Sequence, residues 1–286
     1  MPDEAVINYL CAKCLDVRCD IVEMIYAGGS GHPGGSLSAV EILTALYFHV
    51  MRVRPEQPDW PERDRFILSK GHAAPALYAV LAERGFFPVD ELKTFTAPGT
   101  RLQKHIDMYL VPGAELSTGS LGQGLSVAVG MALADRLDEK GRRVYVLIGD
   151  GESQEGQVWE AAMSAAQRGL NNLVAFLDYN GCQVDGYVPD ICSLEPVAEK
   201  WKSFGWHVQQ VDGHDLRQIL GALEMAQGVE RRPHVIVANT IKGKGIPYME
   251  NRLEWHSRSI TAEEYRVALE ELGTIRHSLA GDGVGK

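Results

Sequence analysis

Residues 144–186 read VYVLIGDGESQEGQVWEAAMSAAQRGLNNLVAFLDYNGCQVDG and contain two short apolar runs joined by an amphipathic helical segment. The first run, 144–148, stops just before Asp150, and the second, 173–177, stops shortly before Asn180. Short apolar strands alternating with a helix predict a βαβ unit whose parallel strands are covered on both faces. Ligands of such sheets bind beyond the carboxyl ends of the strands, so Asp150 and Asn180 are candidate ligand-binding residues.

The residues at these two strand ends suit a metal ion and a phosphate group. The Asp150 carboxylate and the Asn180 amide oxygen are hard ligands of the kind that bind Mg²⁺ or Ca²⁺. Gly149 and Gly151 let the backbone approach a bulky anion, and the following helix directs its N-terminus at the same place. An ordinary strand-to-helix turn in an α/β domain without a nucleotide explains the short GDG motif equally well.

The wider pattern is more specific than GDG alone, because Asn180 and then Gly181-Cys182 follow it. This pattern resembles the thiamine-diphosphate motif of the transketolase family, and the resemblance extends over nearly the whole chain. It implies that Asp150, Asn180 and the backbone carbonyl of Cys182 hold Mg²⁺, for which Ca²⁺ or Mn²⁺ can substitute, against the cofactor's diphosphate. The cofactor-binding residues that it implies in this segment are Gly149, Asp150, Gly151, Glu152 and Asn180.

Composition restricts the class of protein further. A chain of 286 residues with 45% hydrophobic residues can form one large α/β domain or two small ones, each with a proper core. The formal net charge of −10 argues against nucleic acid or an anionic membrane as a partner. No signal peptide or transmembrane run is evident, so we expect a cytoplasmic protein.

The cysteines do not form a recognisable framework. The chain has five of them, an odd number scattered along its length, which predicts a reducing compartment. Cys11 and Cys14 have zinc-like spacing but lack a second pair, and they lie in a helical pattern. We therefore expect them to be buried on a helix face.

Two loops present histidines. In SGHPGG, 30–35, the flanking glycines can wrap a ligand and present His32, although a loop histidine beside proline is by default a surface residue. In DRFILSKGHA, 64–73, Lys70 and His72 follow a predicted strand, where they suit an anionic group or serve as a solvated lysine and a capping histidine. Both motifs resemble transketolase segments, which implies that His32 faces the substrate and that Lys70 and His72 bind the diphosphate.

A third histidine lies in a segment that departs from the family. Relatives usually read Gly-His-Pro where this chain reads Lys104-His105-Ile106. His105 keeps the position implied for a histidine that contacts substrate. Loss of the glycine and the proline alters the loop geometry, because the residue before a proline is held extended. The sequence therefore does not determine the exact shape of the donor or acceptor pocket.

The segment STGSLGQGLS, 117–126, precedes a helix rich in small residues, which suits either a core or a two-fold interface. The motif resembles a transketolase signature, which implies that Gly119 and Leu121 line the cofactor site and that the helix lies at a subunit interface. Glu155 begins the next helix, where the helix dipole alone favours a carboxylate. The resemblance implies that Glu155 also meets its counterpart across a dimer and links two active sites.

Two motifs near the end complete the predicted site. TIKGKG, 240–245, places lysines between glycines after a strand, which suits phosphate or a solvated turn. Its resemblance to animal-type transketolases implies that Lys242 lies beside the cofactor phosphates. His256 belongs to a segment similar to the family's Trp-His-Gly, with Ser257 in place of glycine, and is implied to reach both diphosphate and substrate.

Strands alternate with helices along the chain, which predicts an α/β fold with one doubly wound parallel sheet of five or six strands. We expect a single thiamine-diphosphate-binding domain over residues 1–279 and a flexible end at 280–286. Between the strands, the turn Asp212-Gly213-His214-Asp215 is predicted to cap the helix 216–227, and capping alone would account for Asp212 and His214. The last helix is predicted over 261–272.

No segment of this chain matches the middle domain of a complete transketolase. The resemblance implies that this domain supplies the glutamate that activates the cofactor and most of the arginines that bind sugar phosphate. We therefore predict the N-terminal subunit of a split enzyme, active in an α2β2 heterotetramer with a C-terminal transketolase subunit. It would transfer a two-carbon ketol unit from a ketose to an aldose, with sugars or sugar phosphates as substrates.

Three alternatives stay open. The α subunit of a 2-oxoacid dehydrogenase shares the fold and cofactor, but the SGHPGG and SKGHA motifs argue against it. A specialised ketol or acyl transfer would fit the altered surroundings of His105. A non-catalytic scaffold that binds the cofactor is disfavoured because the substrate-side histidines are retained. The predicted catalytic residues are His32, His72, His105, His256 and Glu155.

Overall fold

The computed structural model describes residues 2–282, with side chains described as far as His277, and this part of the chain contains one sheet of five parallel strands. The predicted doubly wound parallel sheet is therefore confirmed, with five strands. The strands, whose order across the sheet is β1–β2–β3–β5–β4, are β1 (Arg65–Leu68), β2 (Val144–Gly149), β3 (Leu173–Tyr179), β4 (His207–Asp212) and β5 (His234–Asn239).

Helices cover both faces of the sheet. The helices are α1 (Glu4–Gly28), α2 (Pro33–Leu37), α3 (Val40–Ala45), α4 (Ala74–Arg84), α5 (Gly124–Leu137), α6 (Gly156–Gln167), α7 (Val188–Cys192), α8 (Val197–Ser203), α9 (Leu216–Gln227) and α10 (Ala262–Asp282). The first face is covered mainly by α1, α3, α4 and α9, and the second mainly by α5, α6 and α8.

The central strands are continuously apolar because each of their faces is buried. In β2, Tyr145 and Leu147 belong to the core under the first group of helices, whereas Val146 and Ile148 belong to the core under the second. Successive side chains of a strand point to opposite faces, so a strand covered on both sides needs an apolar residue at every position. This explains the unbroken run that begins at Val144.

Helix α1 begins and ends where its sequence provides caps. The Asp3 carboxylate accepts a hydrogen bond from the Ala5 amide at 3.2 Å, and Gly29 ends the helix in the left-handed conformation with φ of 64°. Cys14 is buried on the inner face of this helix, as the helical pattern predicted, whereas Cys11 is only half-buried. The five cysteines all lie within the described residues, and each is a free thiol.

The cap of helix α9 differs from the prediction. Asp215 is the capping residue, because its side chain accepts hydrogen bonds from the amides of Arg217 at 2.8 Å and Gln218 at 3.3 Å. The predicted capping turn includes Asp215, but its other two candidates, Asp212 and His214, do not cap the helix. The Asp212 carboxylate accepts a hydrogen bond from the His214 amide at 2.9 Å, and this turn directs the His214 ring towards buried groups instead.

The last helix, α10, is longer than the sequence pattern indicated. We expected it to end near Leu272, but it continues to Asp282, into the segment that was predicted to be a flexible end. The rest of that predicted end, 283–286, lies outside the described residues. Within residues 2–282, no helix combines the length and apolar character needed to span a membrane.

Candidate active site

The carboxyl ends of β2, β3 and β5 meet at one edge of the sheet. The strand register pairs Gly149 with Asp178 and Tyr179 with Asn239, so the turns that follow these strands lie side by side. A cavity of about 180 Å³ lies among these turns, where ligands of parallel sheets bind. The predicted site residues that line it are Lys70, His72, Leu121, Gly149, Asp150, Gly151, Glu152, Asn180, Cys182, Lys242 and His256.

Four histidines from separate loops form a cluster at this edge. The ring centre of His32 lies 5.5 Å from that of His72, 5.8 Å from that of His105 and 5.7 Å from that of His256. The rings of His72 and His256 are 5.1 Å apart. The structure therefore brings together the four histidines that the sequence singled out, with His32 at their centre.

The glycines of SGHPGG allow the close approach that this cluster requires. Pro33 occupies the first turn of α2, which fixes the loop immediately after His32. A Cβ atom on Gly34 would lie 2.8 Å from the Trp255 carbonyl oxygen, and one on Gly35 would lie 3.3 Å from Nε2 of His72. Larger residues at these positions would push the neighbouring segments apart.

Three of the clustered imidazoles, those of His32, His72 and His256, are neutral at physiological pH because their pKa values are lowered. Burial, together with the nearby His105, Lys104 and Lys242, lowers the pKa of His32 to about 4. Burial and the charge of Lys242 lower the pKa of His256 to about 3, and burial also lowers the pKa of His72. The Nδ1 atom of His32 is buried and has no hydrogen-bond partner among the described residues. Such neutral rings can accept a proton or a hydrogen bond from a ligand.

A buried ion pair lies beneath the cluster. Lys70 at the end of β1 and Asp178 in β3 are both almost completely inaccessible to solvent, and the Lys70 ammonium donates to the Asp178 carboxylate. Lys70 also donates to the Gly35 carbonyl at 2.9 Å. Asp178 accepts further hydrogen bonds from the hydroxyls of Ser38, at 2.7 Å, and Thr240.

Asp178 is a central residue that sequence reasoning missed. Burial by itself would raise its pKa, but the charge of Lys70 and the hydrogen bonds from Lys70, Thr240 and Ser38 lower the pKa below its usual value. The sequence pattern marks it only as part of the turn after an apolar run. A carboxylate within a strand buried on both faces is a signal that could have identified it, because buried aspartates need partners.

Lys242 extends from the turn after β5 into the same cavity. Burial lowers its pKa to about 8, and its ammonium donates to the Cys182 carbonyl at 3.2 Å and to Nδ1 of His256 at 2.9 Å. An ammonium group can only donate, so Nδ1 of His256 accepts and its Nε2 carries the proton. His256 is thus set in the tautomer that can donate a hydrogen bond from Nε2.

The predicted metal ligands lie close together in the turns after β2 and β3. The Asp150 carboxylate accepts hydrogen bonds from the amides of Gly151 at 2.7 Å and Gly181 at 2.6 Å. The Asn180 amide oxygen accepts from the Cys182 amide at 3.1 Å. Burial and the nearby charge of Asp178 raise the pKa of Asp150 to about 6, so this site disfavours an uncompensated negative charge.

Glu152 is held by protein groups on all sides. Its carboxylate accepts hydrogen bonds from the Ser69 hydroxyl and from the amides of Gly122 and Gly149, both at 2.9 Å. It thereby ties the turn after β2 to the segment before α5 and to the end of β1. Its predicted contact with the cofactor stays a prediction.

Gly119 and Glu155 lie at the margin of the site. A Cβ atom on Gly119 would lie 3.4 Å from the His105 ring, so this glycine makes room for the histidine. Glu155 precedes α6, is exposed, and packs its Cβ atom against Gly122. The structure therefore brings Gly119 to the histidine cluster and leaves Glu155 on the outer surface of the protein.

The residues of the cavity fit a diphosphate with its metal ion. Lys70 and Lys242 line the cavity and supply positive charge. Among the described residues, no three His, Cys, Asp or Glu side chains are grouped as metal ligands. Asp150, Asn180 and one carbonyl oxygen match the way in which Mg²⁺ is held when phosphate oxygens complete its coordination.

Comparison with known proteins places this site in a family. Residues 11–279 match the family model described as transketolase, thiamine diphosphate binding domain. The chain is 52% identical over 256 residues to the 6-deoxy-6-sulfo-D-fructose transketolase subunit SqwG of Clostridium sp. strain MSTE9, covering 90% of this chain and 93% of that subunit. It is 41% identical to an apulose-4-phosphate transketolase subunit of Phocaeicola vulgatus, covering 94% and 95% of the two chains.

Longer transketolases share only part of their length with this protein. Human transketolase is 38% identical over 95% of this chain but only 43% of its own length. The structure of a Pichia stipitis transketolase complex with sedoheptulose 7-phosphate superposes with a TM-score of 0.88 at 32% identity, over 93% of this chain and 41% of that one. The chain therefore belongs to the transketolase family, in which it corresponds to the N-terminal, thiamine-diphosphate-binding subunit of a split transketolase.

Proposed function

We propose that this chain binds thiamine diphosphate with Mg²⁺ and, together with a C-terminal subunit, transfers a two-carbon ketol unit from a ketose to an aldose. The observation that carries the proposal is the joint presence of the histidine cluster, two buried lysines and the turns of Asp150 and Asn180 at one sheet edge. When bound, the cofactor supplies the carbanion chemistry of ketol transfer, and the protein orients it and moves protons.

The proposed cofactor contacts follow from charge. Asp150, Asn180 and the Cys182 carbonyl would hold Mg²⁺, because the three residues line one cavity and the Asp150 carboxylate accepts a hydrogen bond from the amide of Gly181, which lies between the other two in the chain. Metal binding compensates the buried negative charge of Asp150, whose pKa is raised by burial. Lys70 and Lys242 line the same cavity and would neutralise the diphosphate, which explains why the fold buries two cations there.

The proposed roles of the histidines follow from their protonation states. His256 carries its proton on Nε2 and can donate a hydrogen bond to a substrate oxygen, because Nδ1 accepts from Lys242. His32 has a free buried Nδ1 that can accept a proton from a substrate hydroxyl. His72 and His105 complete the ring of donors and acceptors around the same space.

A partner subunit is proposed because, among the described residues, the buried carboxylates of the cleft are already engaged by hydrogen bonds and are not free to activate the cofactor. Asp150, Glu152 and Asp178 are buried there, and each already accepts at least two hydrogen bonds from this chain. A C-terminal subunit would supply the activating glutamate, as the family resemblance implies. Glu155 is exposed and would meet its counterpart at the interface of an α2β2 heterotetramer.

The test is reconstitution. We expect the chain alone to be inactive and to gain ketol-transfer activity when mixed with the C-terminal transketolase subunit of its own organism, thiamine diphosphate and Mg²⁺. Formation of the shortened aldose is the measurement, and omission of Mg²⁺ or of either subunit is the control. Decarboxylation of a 2-oxoacid without ketol transfer would instead support the dehydrogenase alternative. Cofactor binding without turnover of any substrate would support a scaffold.

The relatives' names favour a substrate with an anionic end. The two split subunits cited above are named for sugars that carry a sulfo or a phosphate group. In this chain Lys104 is exposed next to His105, and its charge contributes to the lowered pKa of His32. The Lys104 ammonium has no ion pair or hydrogen bond within residues 2–282. We propose that it attracts the anionic group of the sugar.

Replacement of Lys104 tests this substrate class. Lys104→Gln is expected to raise KM for a phosphorylated or sulfonated ketose roughly 10- to 100-fold, because a hydrogen bond to a charged group contributes about 1.5–3 kcal/mol. KM for an uncharged ketose should stay unchanged, and Lys104→Arg should retain most of the affinity. Steady-state kinetics with paired charged and uncharged substrates provides the measurement. Equal changes for both substrates would refute the electrostatic role.

A further inference from the structure

Three buried side chains form a connected group beneath the turn that carries Lys242. Arg18 in α1 donates both hydrogen bonds of a bidentate pair from Nη2 to the Glu41 carboxylate of α3, at 2.7 and 2.9 Å. Nδ1 of His214 lies 3.0 Å from Oε2 of the same carboxylate. The side chains of Arg18, Glu41 and His214 are 5%, 9% and 10% exposed, so the group is shielded from solvent.

This group contacts the Lys242 turn at two points, one on each side of the lysine. The Ile241 amide donates to Nε2 of His214 at 2.8 Å, and Nε of Arg18 donates to the Lys244 carbonyl at 3.1 Å. Gly245 permits the second contact, since it has φ of 93° and a Cβ atom there would lie 2.9 Å from Nε of Arg18.

The pattern of donors fixes the tautomer of His214. A backbone amide can only donate, so Nε2 of His214 accepts and Nδ1 carries the proton that is donated to Glu41. Glu41 in turn compensates the buried charge of Arg18. The three side chains are therefore linked in the order Arg18, Glu41, His214. Arg18 at one end and His214 at the other each form a hydrogen bond with the backbone of the Lys242 turn.

We propose that Arg18, Glu41 and His214 form a clamp that positions Lys242 for the cofactor's diphosphate. None of the three lines the cavity, so they are positioning residues that act through the backbone. A lysine side chain has many rotamers, and fixing its backbone on both sides reduces the freedom that ligand binding must remove. The inference rests on the proposed function, since the diphosphate is the ligand that Lys242 would meet.

Two replacements of His214 separate the two contacts of its ring. His214→Asn retains an amide at the position of Nδ1, which can still donate to Glu41, but has no acceptor that reaches Ile241. His214→Gln places its amide near the position of Nε2, where it can accept from Ile241, and loses Glu41. The matched control is His207→Asn, because His207 begins β4 at the amino ends of the strands, opposite to the cavity.

We expect His214→Asn to weaken binding of thiamine diphosphate with Mg²⁺ about 10- to 100-fold, as replacements of outer-shell residues often do. His214→Gln should weaken it far less, and His207→Asn should leave it unchanged. In the chain without cofactor, hydrogen exchange of the peptide that contains residues 240–245 should accelerate in His214→Asn and stay near the original rate in His214→Gln. Calorimetric titration and exchange detected by mass spectrometry are the measurements.

Equal exchange of residues 240–245 in the two His214 variants would overturn the clamp. So would equal loss of thermal stability and of cofactor affinity in both, because that result assigns His214 a general structural role. If the unaltered chain, alone and with its partner, binds no thiamine diphosphate, the proposed function fails. The exchange comparison then still decides whether the three residues hold the Lys242 turn.

Discussion

Replacing His32 by alanine is expected to reduce ketol transfer by the reconstituted enzyme roughly 10²- to 10⁴-fold, the usual contribution of a group that moves a proton during a reaction. His32 lies at the centre of the histidine cluster, and its buried Nδ1 has no partner within the described residues. It makes no contact with Asp150 or Asn180, so cofactor affinity should change little. His256→Ala should also abolish transfer while largely sparing cofactor binding.

The measurement is a paired assay of transfer rate and thiamine-diphosphate affinity on the same preparations. His277→Ala is a suitable control, because His277 is exposed on α10 and its ring forms a hydrogen bond with the Gly273 carbonyl of the same helix. Transfer that survives both His32→Ala and His256→Ala would show that the chemistry assigned to the cluster is wrong. If the transfer rate falls only as far as the loss of bound thiamine diphosphate explains, His32 and His256 act in cofactor binding and not in the transfer reaction.

The fold could be predicted because its signals are local. The apolar runs of β2 and β3 are continuous where the sheet is covered on both sides, and each run ends in turn residues. Parallel strands place their carboxyl ends at one edge, so Asp150 and Asn180 could be brought together without knowing the remaining contacts. The helix ends were less predictable, as α10 shows by continuing past Leu272.

The supporting residues of the site could not be predicted in the same way. Ser38 donates to Asp178 across 140 positions of sequence, and His214 meets Glu41 across 173. No local sequence pattern predicts such pairs, because neither residue of a pair stands out from the residues around it. His214 was misassigned for this reason: an Asp-Gly-His-Asp turn before a helix has a sufficient local explanation, and only the packed structure shows where the ring points.

The second large effect is expected from the buried pair of Lys70 and Asp178. Asp178→Asn removes the ion-pair partner of the buried Lys70 ammonium. Breaking a buried ion pair in this way costs about 3–5 kcal/mol of the free energy of unfolding. For a chain of this size that loss corresponds to a fall in the melting temperature of roughly 6–20 °C. Thermal or urea unfolding of the chain without cofactor is the measurement.

The double variant Lys70→Met, Asp178→Asn is the decisive companion. It removes both charges, and the amide oxygen introduced at position 178 can still accept from Ser38 or Thr240, so much of the lost stability should return. Lys70→Met alone should be measured beside Asp178→Asn. If the stability losses of these two single variants simply add in the double variant, the two residues are not energetically coupled and the ion pair is contradicted. The double variant should nevertheless bind thiamine diphosphate with Mg²⁺ at least about tenfold more weakly, since a charge-assisted contact to the diphosphate is gone.

Measuring both the stability and the cofactor affinity of the double variant distinguishes two roles of the Lys70 ammonium, which the same group would perform. As a partner of Asp178 and of the Gly35 carbonyl, Lys70 joins β1 and β3 to the loop that presents His32. As a cation in the cavity, it would neutralise the diphosphate. If stability and cofactor affinity recover together in the double variant, only the first role is real. If stability recovers while cofactor affinity stays low, the methionine replaces Lys70 adequately in the fold but not in the cavity. The charge of Lys70 then serves cofactor binding.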